Sequence, residues 1–221
     1  MEGANQPLRA LQDIRSMMER SSRFISLSGW SGISAGTCAL VGALIAAARL
    51  KAYNRTTSLS PDDLGSFDTN IARGGITTEL LLLAAAVFIA AFVSAFLFTY
   101  FRSKKTGVPV WGRSAMRLMW NTVLPMVAGG LVVLRMLELG HYSLVAPCTL
   151  IFYGLALVNG SKYTLGEVKY MGYGQIILGI CNLWLPNNGL LFWAAGFGVL
   201  HIVYGGWMWW KYERGPETRD T

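Results

Sequence analysis

Residues 189–210 read GLLFWAAGFGVLHIVYGGWMWW, an apolar run interrupted near its middle by one histidine, His201. About 20 residues at ~1.5 Å each cover the ~30 Å hydrocarbon core of a bilayer, so the run is long enough to cross as a helix. An imidazole there would lie deep in lipid or deep in protein, which makes His201 the one position where the sequence hints at chemistry. The fold follows from finding five more such runs upstream.

The 221 residues are 53% apolar and 14% charged, with 25 glycines. That balance suits a membrane class rather than an ordinary soluble domain. The formal net charge of +7 comes from basic residues scattered along short flanks of apolar segments, a pattern of membrane orientation rather than of nucleic-acid binding. Cys38, Cys148 and Cys181 all lie inside apolar runs without a CxxC pair, so neither a disulfide framework nor a zinc site is indicated.

The apolar runs predict an all-α polytopic membrane protein with six transmembrane helices in three hairpins, at about 27–48, 76–101, 118–139, 142–160, 170–185 and 189–210. The first run is longer than a signal-peptide core, so it is expected to stay as a helix despite Ala46-Ala47-Ala48. Ahead of it, residues 1–26 form a cytoplasmic region in which Leu8, Leu11, Ile14, Met18 and Ile25 recur at helical spacing between charged residues. This is an amphipathic helix, read as lying at the membrane interface, with docking on a protein partner as the alternative. In the first span Gly32, Gly36, Ala39 and Ala43 make a stripe of small residues that lets another helix approach, within the bundle in preference to a homodimer. Arg49 to Gly75 reads as a polar loop, Arg102 to Arg117 as a basic connector broken by Gly107 and Pro109, and 211–221 as a polar cytoplasmic tail.

Six spans place both termini on one side. Of the 19 basic residues, that side holds 14: four before the first span, five between the second and third, two between the fourth and fifth, and three after the sixth. The other side holds five, so both termini are expected in the cytoplasm. Trp30, Trp120, Trp207, Trp209 and Trp210 fall at the inner interface, with Trp184 and Trp193 toward the outer one.

In the sixth span Ala194, Gly198, His201, Gly205 and Met208 share a face, and in the fifth Gly172, Gln175, Gly179 and Asn182 do the same. Both faces are small and polar, as helix–helix contacts in membranes are. Gln175 lies ten residues before Leu185 and His201 twelve after Gly189, so across the short Pro186-Asn187-Asn188-Gly189 turn the two differ by only about 3 Å in depth. A direct Gln175–His201 hydrogen bond is the expectation, in a polar cluster with Asn182, Tyr204 and Tyr153. Its bland reading is interhelical glue; its sharper one makes His201 a proton acceptor or ligand group in a small cavity. Arg135 and Glu138, three apart near the outer end of the third span, are expected to form an ion pair.

Other chemistries find no support. His141 belongs near the outer surface and His201 near mid-span, so they make no bis-histidine haem pair, and no HExxH, nucleophile elbow or Walker sequence occurs. No cofactor and no catalytic residue is assigned. The run LQDIRSMMERSSRFISLSGWSGISAG, within Leu11 to Gly42, resembles the opening of small uncharacterised multi-pass membrane proteins of bacteria. The resemblance implies a bacterial inner membrane and no particular activity. The expected role is non-enzymatic: an accessory, sensory or scaffolding subunit in the lipid bilayer that meets a protein partner at the cytoplasmic face or forms a homo-oligomer. The alternative is a small transporter or channel with a polar cavity around Gln175, Asn182 and His201.

Overall fold

The computed structural model describes residues 28–58, 66–107 and 112–213, without the side chains of 56–58, 66–74 and 106. Six helices carry the described residues: α1 (Gly29–Ser58), α2 (Ser66–Thr106), α3 (Arg113–Glu138), α4 (Val145–Gly160), α5 (Val168–Trp184) and α6. The last is composite, built from Gly189–Trp193, a π-helical stretch Ala194–Leu200 and His201–Tyr212. No strand occurs among the described residues.

Among the described residues, five stretches are long and apolar enough to cross a membrane: Gly29–Arg55, Gly75–Lys105, Arg113–Glu138, Tyr142–Tyr163 and Pro186–Tyr212. These are what a multi-pass membrane protein requires. Helix α5, with 17 residues, measures about 25 Å at ~1.5 Å per residue and is short for a ~30 Å core.

Two expected boundaries are corrected. The stretch from Arg49 to Gly75 is mostly helical, since α1 runs on to Ser58 and α2 starts at Ser66. An apolar run marks how far a helix can stay in lipid, not where it must end, and Ala, Arg and Lys are good helix formers. The basic connector likewise shrinks to 107–112, because α2 ends at Thr106 and α3 begins at Arg113. The amphipathic helix expected in residues 1–26 and the tail beyond 213 lie outside the described residues.

Helix α3 ends in a turn that only its glycine allows. Gly140 adopts φ +76°, its N–H donates to the Leu137 carbonyl at 3.1 Å, and the His141 N–H donates to Met136 at 2.8 Å. This Schellman arrangement covers two orphan carbonyls and turns the chain directly into α4.

Packing is sequential and tight where glycines meet. α1 runs antiparallel to α6: a Cβ on Gly36 would lie 2.7 Å from the Gly198 carbonyl, and one on Gly205 would lie 2.6 Å from that of Gly29. The small-residue stripe on α1 therefore packs inside the chain. α4 and α5 interlock the same way, with Gly154 and Gly172 each against the other's carbonyl. α2 lies against α1, with Trp30 stacked on Phe98 and Gly42 beneath Val87, while α3 lies against α4 through Gly129 and Phe152. The outcome is a three-helix group of α4, α5 and α6, extended by α1 then α2 on one side and by α3 on the other.

Candidate polar site

The centre of the bundle is organised by one carbonyl. In the π-helical stretch of α6 the backbone pairing is shifted by one residue, which widens the turn and opens a carbonyl to side chains. The Gly196 oxygen accepts from Nε2 of Gln175 at 2.9 Å and from Nδ1 of His201 at 3.0 Å. A carbonyl only accepts, so Nδ1 carries the proton. Nε2 of the neutral ring is then an acceptor, and the Tyr153 hydroxyl donates to it at 2.8 Å.

Each helix contributes through its local geometry. Side chains in a helix lean toward its N-terminus while carbonyls point toward its C-terminus, so His201 reaches back to meet the Gly196 oxygen within α6. Tyr153 comes from α4 and is held by rings: its centroid lies 5.0 Å from Phe197 and 5.4 Å from His201. Trp193 continues the stack, 4.9 Å from Phe197. Gln175 comes from α5 and is fully buried; a Cβ on Gly196 would lie 2.5 Å from its Oε1. The absence of a side chain at residue 196 is thus what admits the glutamine.

The expected cluster is brought together only in part. Gln175 and His201 do not bond to each other; they share the Gly196 carbonyl, because the π-helical stretch offers a backbone acceptor between them. Asn182 belongs to a different place. Its Nδ2 donates to the Leu185 carbonyl at 3.0 Å, closing the C-terminus of α5 two helical turns from Gln175. The Tyr204 hydroxyl is buried without a partner and lies within electrostatic reach of Glu167 and Tyr212. Oε1 of Gln175 and Oδ1 of Asn182 are likewise buried without a hydrogen bond. Arg135 and Glu138 do pair, at 2.8 Å, with both side chains about two-thirds exposed.

A second junction escaped the sequence reading. The Glu213 carboxylate, just past α6, accepts from the Gly29 N–H at 2.6 Å and from the Ser28 hydroxyl at 3.2 Å, and forms an ion pair with Arg102 near the end of α2. It satisfies an orphan donor at the start of α1 and places negative charge at the positive end of that helix. The pairing could have been sought from the acid that directly follows the last apolar run. Beside it, Glu167 receives Lys211 at 2.5 Å and the Tyr212 hydroxyl at 2.6 Å, tying the start of α5 to the end of α6. Partial burial pushes the Glu167 carboxyl up, but the hydrogen bonds from Lys211 and Tyr212 outweigh it and hold the group down at about 2.

Chemically, the central arrangement is a closed relay of donors and acceptors with the imidazole satisfied on both nitrogens. Among the described residues no group of three His, Cys, Asp or Glu side chains is placed to hold a metal ion. Comparison with protein-family models, with curated proteins and with solved structures found no match to this chain.

Proposed function

We propose that the chain is a six-span membrane protein of the bacterial inner membrane, with both termini in the cytoplasm, acting as a non-enzymatic accessory, sensory or scaffolding subunit. The observation that carries this reading is the state of His201. It is the one histidine placed deep in the bundle, and Tyr153 and Gly196 engage both its ring nitrogens, which makes it interhelical glue rather than a group waiting for a proton or ligand. The six-span count draws support from the Glu213 junction, where the start of α1 meets the ends of α2 and α6, as an even number of crossings would arrange them. The short α5 then crosses as the fifth of the six spans, covered on its polar face by α4 and α6.

A binding role predicts capture of a partner through residues 1–26, and capture that survives His201→Ala. Co-purification from membranes with the full chain and with a chain lacking residues 1–26 tests it. Equal recovery of every partner with both chains would remove the binding role from that segment.

A second reading, a small transporter, is favoured by one observation: Gln175 Oε1, Asn182 Oδ1 and the Tyr204 hydroxyl are buried without protein partners, as the lining of a hydrated path would be. Substrate flux in proteoliposomes that is lost on His201→Ala would select this reading over the first.

A further inference from the structure

Helix α6 has to satisfy contacts on both sides of its π-helical stretch, Ala194–Leu200. Before it, a Cβ on Gly189 would lie 3.3 Å from that of Ala146 at the start of α4. Beyond it, Gly205 meets Gly29, and Glu213 accepts from the Gly29 N–H at 2.6 Å. A π-helical turn takes up one residue more than an α-helical one, and each α-helical residue is worth ~100° of rotation. With residues 189–193 kept in place, an unbroken α-helix would therefore bring each residue beyond 200 round to where its successor now stands. Tyr204 would face Gly29, where even a Cβ on Gly205 lies 2.6 Å from the Gly29 oxygen, and Tyr212 would replace Glu213. The two halves of α6 fit their neighbours together only with the surplus residue taken up between them.

The hydrogen bonds show what holds it there. The His201 N–H donates to the Gly198 carbonyl, three residues back. The Gly196 carbonyl, five back, is the one that a π-turn pairs with a backbone N–H, and it is met by the His201 ring and by Gln175 from α5. Two side chains thus stand where the wide turn needs donors. Without them the backbone gains by returning to the i→i−4 ladder, which the packing of α1 on α6 does not allow.

We propose that α6 is a register lock: by holding the Gly196 carbonyl, Gln175 and His201 keep the surplus residue in the π-helical stretch, and their release from it lets go of the start of α1 at Glu213. The lock and the contact it governs are 17 residues apart in α6, about 25 Å at ~1.5 Å per residue. An event in the middle of the span is thereby read at the corner where the chain enters its first helix. The inference rests on the packing of α6 and is independent of whether the chain serves a protein partner or a transported substrate.

The test reads the Gly29 amide directly. Ser28-Gly29 and Ser31-Gly32 are the two Ser-Gly pairs in the chain, so the full chain made by cell-free synthesis, isotope-labelled at serine carbonyl carbons and glycine nitrogens, gives two NMR signals in detergent micelles. The Gly29 signal reports its bond to Glu213, with Glu213→Ala marking where it lies once that bond is gone. Gln175→Leu/His201→Leu should move it to that position. Deleting the half-buried Ala195 removes the surplus residue itself; it should leave the Gly29 signal of the wild type in place and restore it in the Gln175→Leu/His201→Leu chain. A signal unmoved by the two substitutions overturns the proposal. So does a deletion that fails to restore it, since the substitutions would then have loosened the bundle generally. The deletion in the otherwise wild-type chain decides by itself: a shifted or lost Gly29 signal there means that the stretch holds no surplus residue, and overturns the proposal whether or not the substituted chain folds.

Discussion

Replacing Tyr153 with phenylalanine removes one hydroxyl and little else, because its ring stays between Phe197 and His201. Nε2 of His201 then loses its donor. Hydrogen bonds between membrane helices average ~0.6 kcal/mol and reach ~1.7; a bond to a 7% exposed imidazole belongs in the upper half of that range. We expect Tyr153→Phe to destabilise the bundle by about 1 kcal/mol. The sharper expectation concerns coupling. Tyr153 and His201 bond directly, so Tyr153→Phe with His201→Leu should cost less than the two single changes added together. Gln175 and His201 instead compete for one acceptor at 2.9 and 3.0 Å, so removing one donor lets the other tighten. Gln175→Leu with His201→Leu should therefore cost more than the sum. Equilibrium unfolding in mixed micelles, by denaturing detergent or steric trapping, measures both cycles. A Gln175–His201 coupling of the same sign and size as the Tyr153–His201 coupling would refute the shared-carbonyl arrangement.

Gly205→Ala would set a methyl 2.6 Å from the Gly29 carbonyl and 2.7 Å from the Ile33 nitrogen. Both are backbone atoms, so α1 and α6 must separate at a cost of about 1–3 kcal/mol, read by the same unfolding assay; wild-type stability would show that the helices are not in contact there. Glu213→Gln removes the negative charge that meets Arg102 and the Gly29 N–H and should lower stability by about 1–3 kcal/mol, with Asp at the same position recovering part of it. For Glu167, whose carboxyl sits at about 2 against an ordinary 4.5, the folded state binds fewer protons than the unfolded one. Its contribution is complete above pH 4.5 and is lost as pH falls toward 2, about 1 kcal/mol after solvent screening of the half-exposed Lys211. Wild type should lose most of that between pH 5 and 2 relative to Glu167→Gln, and parallel pH profiles would contradict the pairing.

The helical architecture was legible because lipid leaves a chain few options: runs of apolar residues bounded by charge and by Pro-Asn-Asn-Gly or Gly-His turns mark helices almost directly. The helical stripes were legible too, since Gly32 and Gly36 on α1 recur at intervals that put them on one face, and that face meets Gly205 and Gly198 of α6. What the sequence could not convey was backbone pairing. Gln175 and His201 were matched in depth from residue counts alone, but nothing in AAGFGVL announces a π-helical stretch, and the acceptor it opens is what both side chains use. Asn182 was misplaced for a related reason. Its position on the polar face of α5 was readable, whereas its hydrogen bond to the chain end at Leu185 depends on where the helix stops. Glu213 was passed over because contacts 184 residues apart carry no local signature.

That contact between residues 29 and 213 gives the bundle a property of its connectivity. The first and last helices leave the membrane domain at the same corner, held by one carboxylate, so the chain traces a path that nearly closes on itself. Such a path can be cut elsewhere. A circular permutant that joins the two ends through a short linker and opens the chain inside 107–112 would keep α1 against α6 and α3 against α4. It would also turn the order of insertion around, so that α3 enters the bilayer first and α2 last.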